Sequence, residues 1–318
     1  MFDIPPQTLQ YWYKNVLSDY VSDIKSGKWH PQKIEAVNKN TGEIEEKPLY
    51  VFENENIGEN MSVDDKHISR NGFTVLSNRD SGKVALLVES TNYEEVAQSM
   101  ELFGEHLNKI KNITMDMSPT YALVFSNLVP EATQIIDKFH VMKYVYDAVA
   151  EVRNQIRKDL TISLSKGKQK SENDKKVLSE LERLRRVRHA ITQSPEKWSK
   201  EMENTVNQVF EVHNKLKMAY QISQNFKQWY DFQNQFMPTN KIRNNLFKWY
   251  ELASQLTEFK RVIKMIRKHE DEILNYFKHG HTNAKAEQLN GKINRFVSNN
   301  HGVKDKDFTL YRIANYFK

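Results

Sequence analysis

The stretch ITMDMSPTYALVFSNLVPEATQII, residues 113–136, decides the fold because it contains the pattern of a strand, a helix and a second strand. Apolar residues alternate in ITMDM, 113–117, so Asp116 points to the opposite face near the end of that strand. Ser118 and Pro119 predict a helix start, with a capping hydroxyl before a proline at the first helical position. The closing TQII predicts the second strand.

Segments upstream extend this alternation. Three short β-like runs, residues 61–65, 73–78 and 84–90, precede a helix predicted over 93–110. Three strands, a helix and then strand–helix–strand form the layer order of an α/β protein. We therefore predict an α/β fold class. The order fits an RNase H-like core, although spacing alone does not select that fold.

The remaining chain is mainly helical in pattern. Residues 7–24 fit a helix, and residues 37–52 fit either a hairpin or an extended linker. From 141 to 278 apolar residues recur at helical spacing, which predicts an all-helical segment with its own aromatic core. The expected core aromatics are Trp229, Phe232, Phe236 and Trp249.

The composition excludes several classes of protein. Of the 318 residues, 39% are hydrophobic and 28% charged, as in globular proteins. Cysteine is absent, which excludes disulfides, thiolate zinc sites and cysteine nucleophiles. No apolar run approaches the ~18 residues of a membrane span, and the N-terminus lacks a signal-peptide pattern, so we expect a cytoplasmic protein. The net charge of +6 mildly favours a polyanionic partner such as nucleic acid.

Two aspartates are candidates for binding a cation. Alternation in MSVDDKH, 61–67, places Asp64 on the opposite face from Asp65. Asp116 lies at the end of its own strand, and ligands in open α/β sheets gather beyond the carboxyl ends of strands. Two aspartates on neighbouring strands suit a hard cation, and a third carboxylate would complete a two-metal site for phosphoryl transfer. Each aspartate alone also fits a turn or capping role.

Glu287 is the candidate third acid. If residues 283–297 form a helix, Glu287 shares one stripe with Asn290, Gly291 and Asn294, opposite a buried apolar stripe. A glycine within a polar stripe allows close approach of a backbone or a phosphate. The alternative is an ordinary solvated helix face.

Asp137 and His140 form a second constellation, directly after the TQII strand. They are three residues apart and face the same way on a helical turn, as an Asp–His pair or as contacts to DNA. The alternative is a capping aspartate and a half-buried histidine.

Three blocks together resemble the DDE transposases of the ISL-three insertion-sequence family. The first, IGENMSVDDKHI at 57–68, is similar to a family strand with an Ile-Asp-Glu core. The second, residues 113–153, resembles a block with Asp-Met-(Ser)-x-x-Tyr, Pro-x-Ala and Asp-x-Phe-His-Val. The third, residues 273–313, resembles an Asn-Ala-x-x-Glu-x-x-Asn-x-x-Ile-Lys block and its glycine-containing loop. The resemblance runs from about residue 50 to residue 318.

The resemblance implies an activity and its residues. The catalytic and metal-binding acids fall on Asp64, Asp116 and Glu287. They imply two Mg²⁺ ions, with Mn²⁺ as a substitute, in an enzyme that cleaves DNA and transfers strands at insertion-sequence ends. Asp137 and His140 match an auxiliary (Cys/Asp)-x-x-His element shared with Mutator-like and hAT transposases. A bacterial, nucleoid-associated protein is implied, as a homo-oligomer that is at least dimeric when ends are synapsed.

A domain plan follows from the same resemblance. The expected parts are an N-terminal helical or linker segment (1–58), the first part of an RNase H-like core (59–144), an all-helical insertion (145–278) and the last part of the core (279–318).

Two departures from the family pattern stand out. Family members usually begin with a cysteine-rich zinc-binding segment and a helix-turn-helix. Here the end-binding part is expected to be missing, to be a separate helix-turn-helix chain, or to be reduced to residues 7–24. Asp65 also stands where the family usually has glutamate.

Two groups of side chains are candidates for binding DNA. The segment 241–270 carries far more Lys and Arg than Glu, and basic residues flank the polar stripe around Glu287. The predicted residues are Lys260, Arg261 and Arg267 in the first group, and Lys285, Asn290, Lys292, Asn294 and Arg295 in the second. Two other functions stay open: a catalytically silent domesticated or split remnant that binds DNA or a partner, and an RNase H-like nuclease without strand transfer.

Overall fold

The computed structural model describes residues 4–29, 31–37, 41–68, 71–164, 171–279, 284–299 and 305–317. The chain divides into two compact units, an α/β unit of residues 1–135 with 282–318 and a helical unit of residues 136–281. In the described ranges, no helix is long and apolar enough to span a membrane.

One mixed sheet organises the α/β unit. Its strands are β1 (Lys33–Val37), β2 (Ile44–Phe52), β3 (Asn60–Ile68), β4 (Asn71–Asn78), β5 (Val84–Val88), β6 (Asn112–Met115) and β7 (Thr133–Ile136). The order across the sheet is β1-β2-β5-β4-β3-β6-β7. Strand β3 is antiparallel to β4 and parallel to β6, so it is the strand at which the direction of the sheet changes. The α/β class and the strands predicted at 61–65, 73–78, 84–90 and 133–136 are confirmed.

The helices flank the sheet or form the second unit. In chain order they are α1 (Pro6–Trp12), α2 (Tyr20–Lys25), α3 (Tyr93–Glu101), α4 (Pro119–Leu128), α5 (Lys138–Ser163), α6 (Glu172–Arg186), α7 (Lys200–Val212), α8 (Asn214–Trp229), α9 (Thr239–Ala253), α10 (Lys260–Lys268), α11 (Glu270–His279), α12 (Ala284–Asn299) and α13 (Lys306–Phe317). Those from α5 to α11 belong to the helical unit of residues 136–281.

The two faces of the sheet are covered by different helices. Thr74 of β4 hydrogen-bonds Tyr121 of α4, so α4 lies on one face. The next residue, Val75, packs in a cluster with Leu289 and Ile293 of α12 and Leu310 of α13, so α12 and α13 lie on the other face. This arrangement makes the unit a three-layer α/β/α structure.

The helical unit has its own core. The buried stripe of α5, which includes Val145, Val149 and Val152, faces the unit's interior, and α5 packs against α8. Phe226 and Trp249 lie with their ring centroids 4.5 Å apart, and Trp229 is also buried. The expected places of Trp229 and Trp249 in the core are confirmed.

The expectation for Phe236 is wrong, because its side chain is 83% exposed. Helix α8 ends at Trp229, and residues 232–236 form a separate 3₁₀-helix, so the helical spacing does not continue. The side chain of Phe232 lies outside the described part of the chain.

Two predicted helices are shorter than expected. The segment 7–24 is interrupted after a π-helical turn, where Asp19 has a φ of 61°, so it forms α1 and α2 rather than one helix. The segment 93–110 is α-helical only to Glu101, and a 3₁₀-helix follows from Gly104, whose φ is +50°. The hairpin around residues 37–52 is confirmed as the β1–β2 pair.

Candidate active site

The sheet brings Asp64 and Asp116 to the same level. Strands β3 and β6 are in parallel register, with Met61 opposite Ile113 and Ser62 opposite Thr114. Continuing this register by two residues places Asp64 opposite Asp116. The pairing itself ends at Ser62 and Thr114, two residues before the aspartates. Asp116 itself lies one residue beyond the end of β6.

Asp64 and Asp65 project to opposite faces, as their alternation predicts. Asp64 pairs with Val75, which packs in the cluster formed with α12. Asp65 pairs with Thr74 on the face of α4, and its Oδ1 accepts a hydrogen bond from the hydroxyl of Tyr121. Asp64 therefore shares a sheet face with α12, whereas Asp65 does not.

A backbone N–H orients each of the two candidate carboxylates. Asp64 Oδ1 accepts from the N–H of Asp65 at 2.9 Å, and Asp116 Oδ1 accepts from the N–H of Ser118 at 2.9 Å. The expected capping by the Ser118 hydroxyl is wrong, because that side chain makes no cap hydrogen bond to α4. Asp116 instead forms the turn that leads into the helix.

Helix α12 carries Glu287. Its backbone is helical from Ala284 to Asn299, and it packs on the sheet through the buried residues Leu289 and Ile293, with Phe296 half-buried beside them. The helix contacts β3, the strand that carries Asp64. The side chains of Lys285, Glu287 and Asn290 lie outside the described part of the chain.

The outer side of α12 is open. A Cβ built at Gly291 would meet no atom within 4 Å, and Lys292, Asn294 and Arg295 are exposed. Among the described residues, therefore, none blocks approach to the glycine from this side of the helix.

Two buried cations near the aspartates were not predicted. Arg79 is 7% exposed, and its Nη1 donates to Thr114 Oγ1 at 2.7 Å, two residues before Asp116. Lys66 lies two residues after Asp64 on the same face; burial lowers its pKa, and the Asp64 carboxylate acts in the opposite direction. A lysine two residues from a candidate acid in a strand could have been noticed, but Arg79 lies in a turn and gives no periodic signal.

Asp137 and His140 lie in the helical unit. Asp137 caps α5 by accepting from the N–H of Phe139 at 3.2 Å, and its other oxygen lies 3.2 Å from Nδ1 of His140. The structure thus combines the predicted Asp–His pair with the alternative capping role.

An aromatic cage follows this pair. The ammonium of Lys138 lies 5.4 Å from the ring centroid of Tyr230 and 5.6 Å from that of Tyr276, and it donates to the Tyr230 carbonyl. Tyr230 is fully buried; burial raises the pKa of its phenol, and Asp137 adds to the shift. The start of α5 is thereby fixed to the end of α8 and to α11.

Helix α10 has one basic face. Lys260, Arg261, Lys264, Arg267 and Lys268 are exposed, whereas its apolar residues are buried. The Arg267 guanidinium lies 4.8 Å from the ring centroid of Tyr250. The hollow beside it, about 350 Å³, is lined by Tyr250, Ser254, Lys260, Ile263, Lys264 and Arg267.

The carboxylate oxygens of Asp64, within β3, and of Asp116, just beyond β6, are donors that suit a hard divalent cation. Within the described residues, no three acidic or histidine side chains gather into a metal-binding group. The third expected ligand, Glu287, has its side chain outside them.

The family model for ISL-three DDE transposases, described as "Transposase", matches residues 61–313. This match covers more than half of the chain, and the chain belongs to that transposase family. No curated protein and no solved structure matches the chain.

Proposed function

We propose that the protein is a DNA transposase that cleaves phosphodiester bonds and transfers strands at insertion-sequence ends. Asp64, Asp116 and Glu287 are its catalytic acids and hold two Mg²⁺ ions, for which Mn²⁺ can substitute. The observation that carries the proposal is the parallel pairing of β3 with β6, the strands that lead to Asp64 and Asp116, with α12 packed on the same sheet face as Asp64.

The acids contribute position and charge. Backbone N–H groups hold one oxygen of each aspartate, so both carboxylates have a set orientation before any ligand arrives. Two bound cations would lower the pKa of attacking water and neutralise charge at the scissile phosphate. Glu287 would supply the third carboxylate from a helix that Leu289 and Ile293 anchor to the sheet.

The reaction itself is an in-line displacement at phosphorus. The oxygen of water attacks first, and the bond from phosphorus to the 3′ oxygen breaks, which releases a 3′-hydroxyl. That hydroxyl then attacks a target phosphodiester in the same way. The chain's contribution is to align the acids with these oxygens, because positioning and electrostatic stabilisation dominate catalysis of phosphoryl transfer.

Phosphate binding would come from the basic surfaces. Lys292 and Arg295 are exposed on α12, beside the open side of Gly291, and can contact phosphates next to the scissile bond. Lys260, Arg261 and Arg267, exposed on α10 of the helical unit, would hold other phosphates of the DNA. Lys285, Asn290 and Asn294 belong with Lys292 and Arg295 to the group on α12. A transposase of this kind works on the chromosome, in the bacterial cytoplasm at the nucleoid, and pairs two ends as at least a dimer.

The N-terminal segment bears on end recognition. Tyr20 packs against Phe308 and Tyr311 of α13, and Lys14 pairs with Asp305, so α1 and α2 are anchored to the α/β unit. We propose that a separate helix-turn-helix chain can contribute to sequence-specific recognition of the ends.

The deciding experiment measures cleavage and joining of a labelled insertion-sequence end in Mg²⁺ or Mn²⁺, with any neighbouring helix-turn-helix chain added. Asp64→Asn, Asp116→Asn and Glu287→Gln should each abolish both products. Glu105→Gln removes an exposed carboxylate from the same unit and should leave both unchanged.

Three other results have clear meanings. Cleavage without joining would identify a nuclease that lacks strand transfer. A parent protein that binds DNA but never cuts would identify a silent binding protein. Full activity of Asp64→Asn would remove the proposed acids from the mechanism.

A further inference from the structure

The β3–β6 ladder stops short of the two aspartates. Its last paired residues are Ser62 and Thr114, two residues before Asp64 and Asp116 on their respective chains. At the level of the carboxylates, β3 continues beside β4, whereas β6 ends at Met115 and the chain turns into α4. The ladder of backbone hydrogen bonds therefore does not fix the separation between Asp64 and Asp116.

A buried side-chain network joins the two segments at this level. The phenol of Tyr121, in the first turn of α4, donates to Oδ1 of Asp65 and lies 2.9 Å from the hydroxyl oxygen of Thr74. Thr74 donates in turn to the carbonyl of Ser90 at 2.6 Å. Tyr121 and Thr74 are each 1% exposed, whereas Asp65 lies at the exposed end of the network.

The network connects residues next to both candidate ligands. Asp65 follows Asp64 directly, and its backbone N–H holds Oδ1 of Asp64. Tyr121 is five residues after Asp116, on the helix that the Asp116–Ser118 turn begins. A displacement of α4 relative to β3 would move Asp116 relative to Asp64.

The protonation states suit a fixed contact. Burial raises the pKa of the Tyr121 phenol, with a further contribution from Asp65, so the phenol keeps its proton at ordinary pH. Its single proton goes to the Asp65 carboxylate, and hydrogen bonds to a charged acceptor are stronger than neutral ones.

We propose that Asp65 and Tyr121 are positioning residues, which set the distance between Asp64 and Asp116 and so the affinity of this pair for a divalent cation. Asp65 is not itself a ligand in this arrangement, because it projects to the opposite sheet face. The inference rests on the proposed function, in which Asp64 and Asp116 hold the metal.

The test measures binding of Mn²⁺ alone to the full chain, from the loss of the electron paramagnetic resonance signal of free Mn²⁺. Tyr121→Phe removes only the hydroxyl and should weaken Mn²⁺ binding by about tenfold, the lower end of the effect of losing a group that orients a metal ligand. Cleavage by this variant should recover when the Mn²⁺ concentration is raised by the same factor of about ten, because Asp64 and Asp116 themselves remain.

Tyr50→Phe is the matched control. Tyr50 is also buried in the α/β unit and also lies beside a carboxylate, that of Glu89, but it is on β2. This variant should bind Mn²⁺ as the parent does, even if its melting temperature falls by a similar amount.

Each outcome is decisive. If Tyr121→Phe loses stability but keeps the parent's Mn²⁺ affinity, whereas Asp64→Asn loses it, the network is only structural and the proposed metal site stands. If Asp64→Asn binds Mn²⁺ as the parent does, the proposed site itself is wrong. Should Tyr121→Phe fail to fold, Asp65→Ala decides, because it removes the acceptor of the Tyr121 hydroxyl and this exposed residue can change without disturbing packing. An unaltered affinity in that variant overturns the proposal, and a loss of threefold or more supports it.

Discussion

The basic face of α10 permits a quantitative test of DNA binding. Lys260, Arg261 and Arg267 are exposed, and none of them forms an ion pair with another described residue. The triple variant Lys260→Gln, Arg261→Gln, Arg267→Gln therefore removes three charges that the folded protein does not use for itself, apart from the packing of Arg267 on Tyr250.

The expected magnitude follows from counterion release. Each lost phosphate contact reduces the slope of log affinity against log salt by about 0.9, so three contacts reduce it by about 2.7. Between about 1 M and about 0.1 M salt, the same three contacts account for an increase in DNA affinity of about 500-fold. The assay is a fluorescence-anisotropy titration of duplex DNA at several salt concentrations between about 50 and 300 mM, a range that includes physiological ionic strength.

A second triple variant separates local contacts from net charge. Lys175→Gln, Arg185→Gln, Arg186→Gln also removes three exposed cations from the helical unit, but these form ion pairs with Glu172 and Glu182 on α6. It should change the slope far less than the α10 variant. Equal slopes in both variants, or an unchanged slope in the α10 variant, would refute the assignment of this face to DNA.

Three further predictions concern chemistry and stability. Glu287→Gln should lower the cleavage rate by at least about 100-fold, while DNA affinity stays the same or rises slightly because a negative charge near phosphates is lost. Lys292→Ala should instead weaken DNA binding and leave the cleavage rate at saturating DNA largely unchanged. The opposite pattern would contradict both roles. Ile293 lies on the buried face of α12 and is 1% exposed, so Ile293→Ala should lower the free energy of urea unfolding by about 2–5 kcal/mol. The control Ser298→Ala, at an exposed position of the same helix, should lower it by less than about 0.5 kcal/mol. Burial lowers the pKa of Lys138, with Asp231 opposing and Lys227 adding to the shift, so between that lowered pKa and 10.5 the unfolded chain binds more protons and stability should rise with pH. Lys138→Met should flatten this rise in urea titrations between about pH 8 and 10, just below the usual lysine pKa. A parent protein whose stability does not rise there would show that Lys138 stays charged.

Local pattern was sufficient to predict the strands and their faces. Alternation around Asp64 and Asp65 placed the two acids on opposite sides of β3, and the pairing of Asp65 with Thr74 bears this out. The apolar stripe of α12 likewise predicted the burial of Leu289 and Ile293. These predictions succeed because a strand has a period of two and a helix of 3.6, so one buried face fixes the direction of every other side chain.

Local pattern failed where an element ended. The aromatic residue Phe236 has helical spacing from Trp229, but α8 ends at Trp229 and Phe236 is exposed. Ser118 has the sequence of a helix cap, yet Asp116 makes the hydrogen bond at this turn. The end of a helix depends on which nearby side chain hydrogen-bonds the free backbone groups, and the spacing of the apolar residues does not specify that side chain.

The sequence by itself determined the α/β class, the helical unit and the candidate acids, because each depends on residues close together in the chain. Only the tertiary structure decided that β6 lies beside β3, with the register that brings Asp116 level with Asp64. It alone revealed Tyr121 as the residue that joins α4 to Asp65, and Arg79 as a buried partner of Thr114. The physical reason is that pairing between distant strands depends on the packing of the whole sheet, which no local pattern specifies.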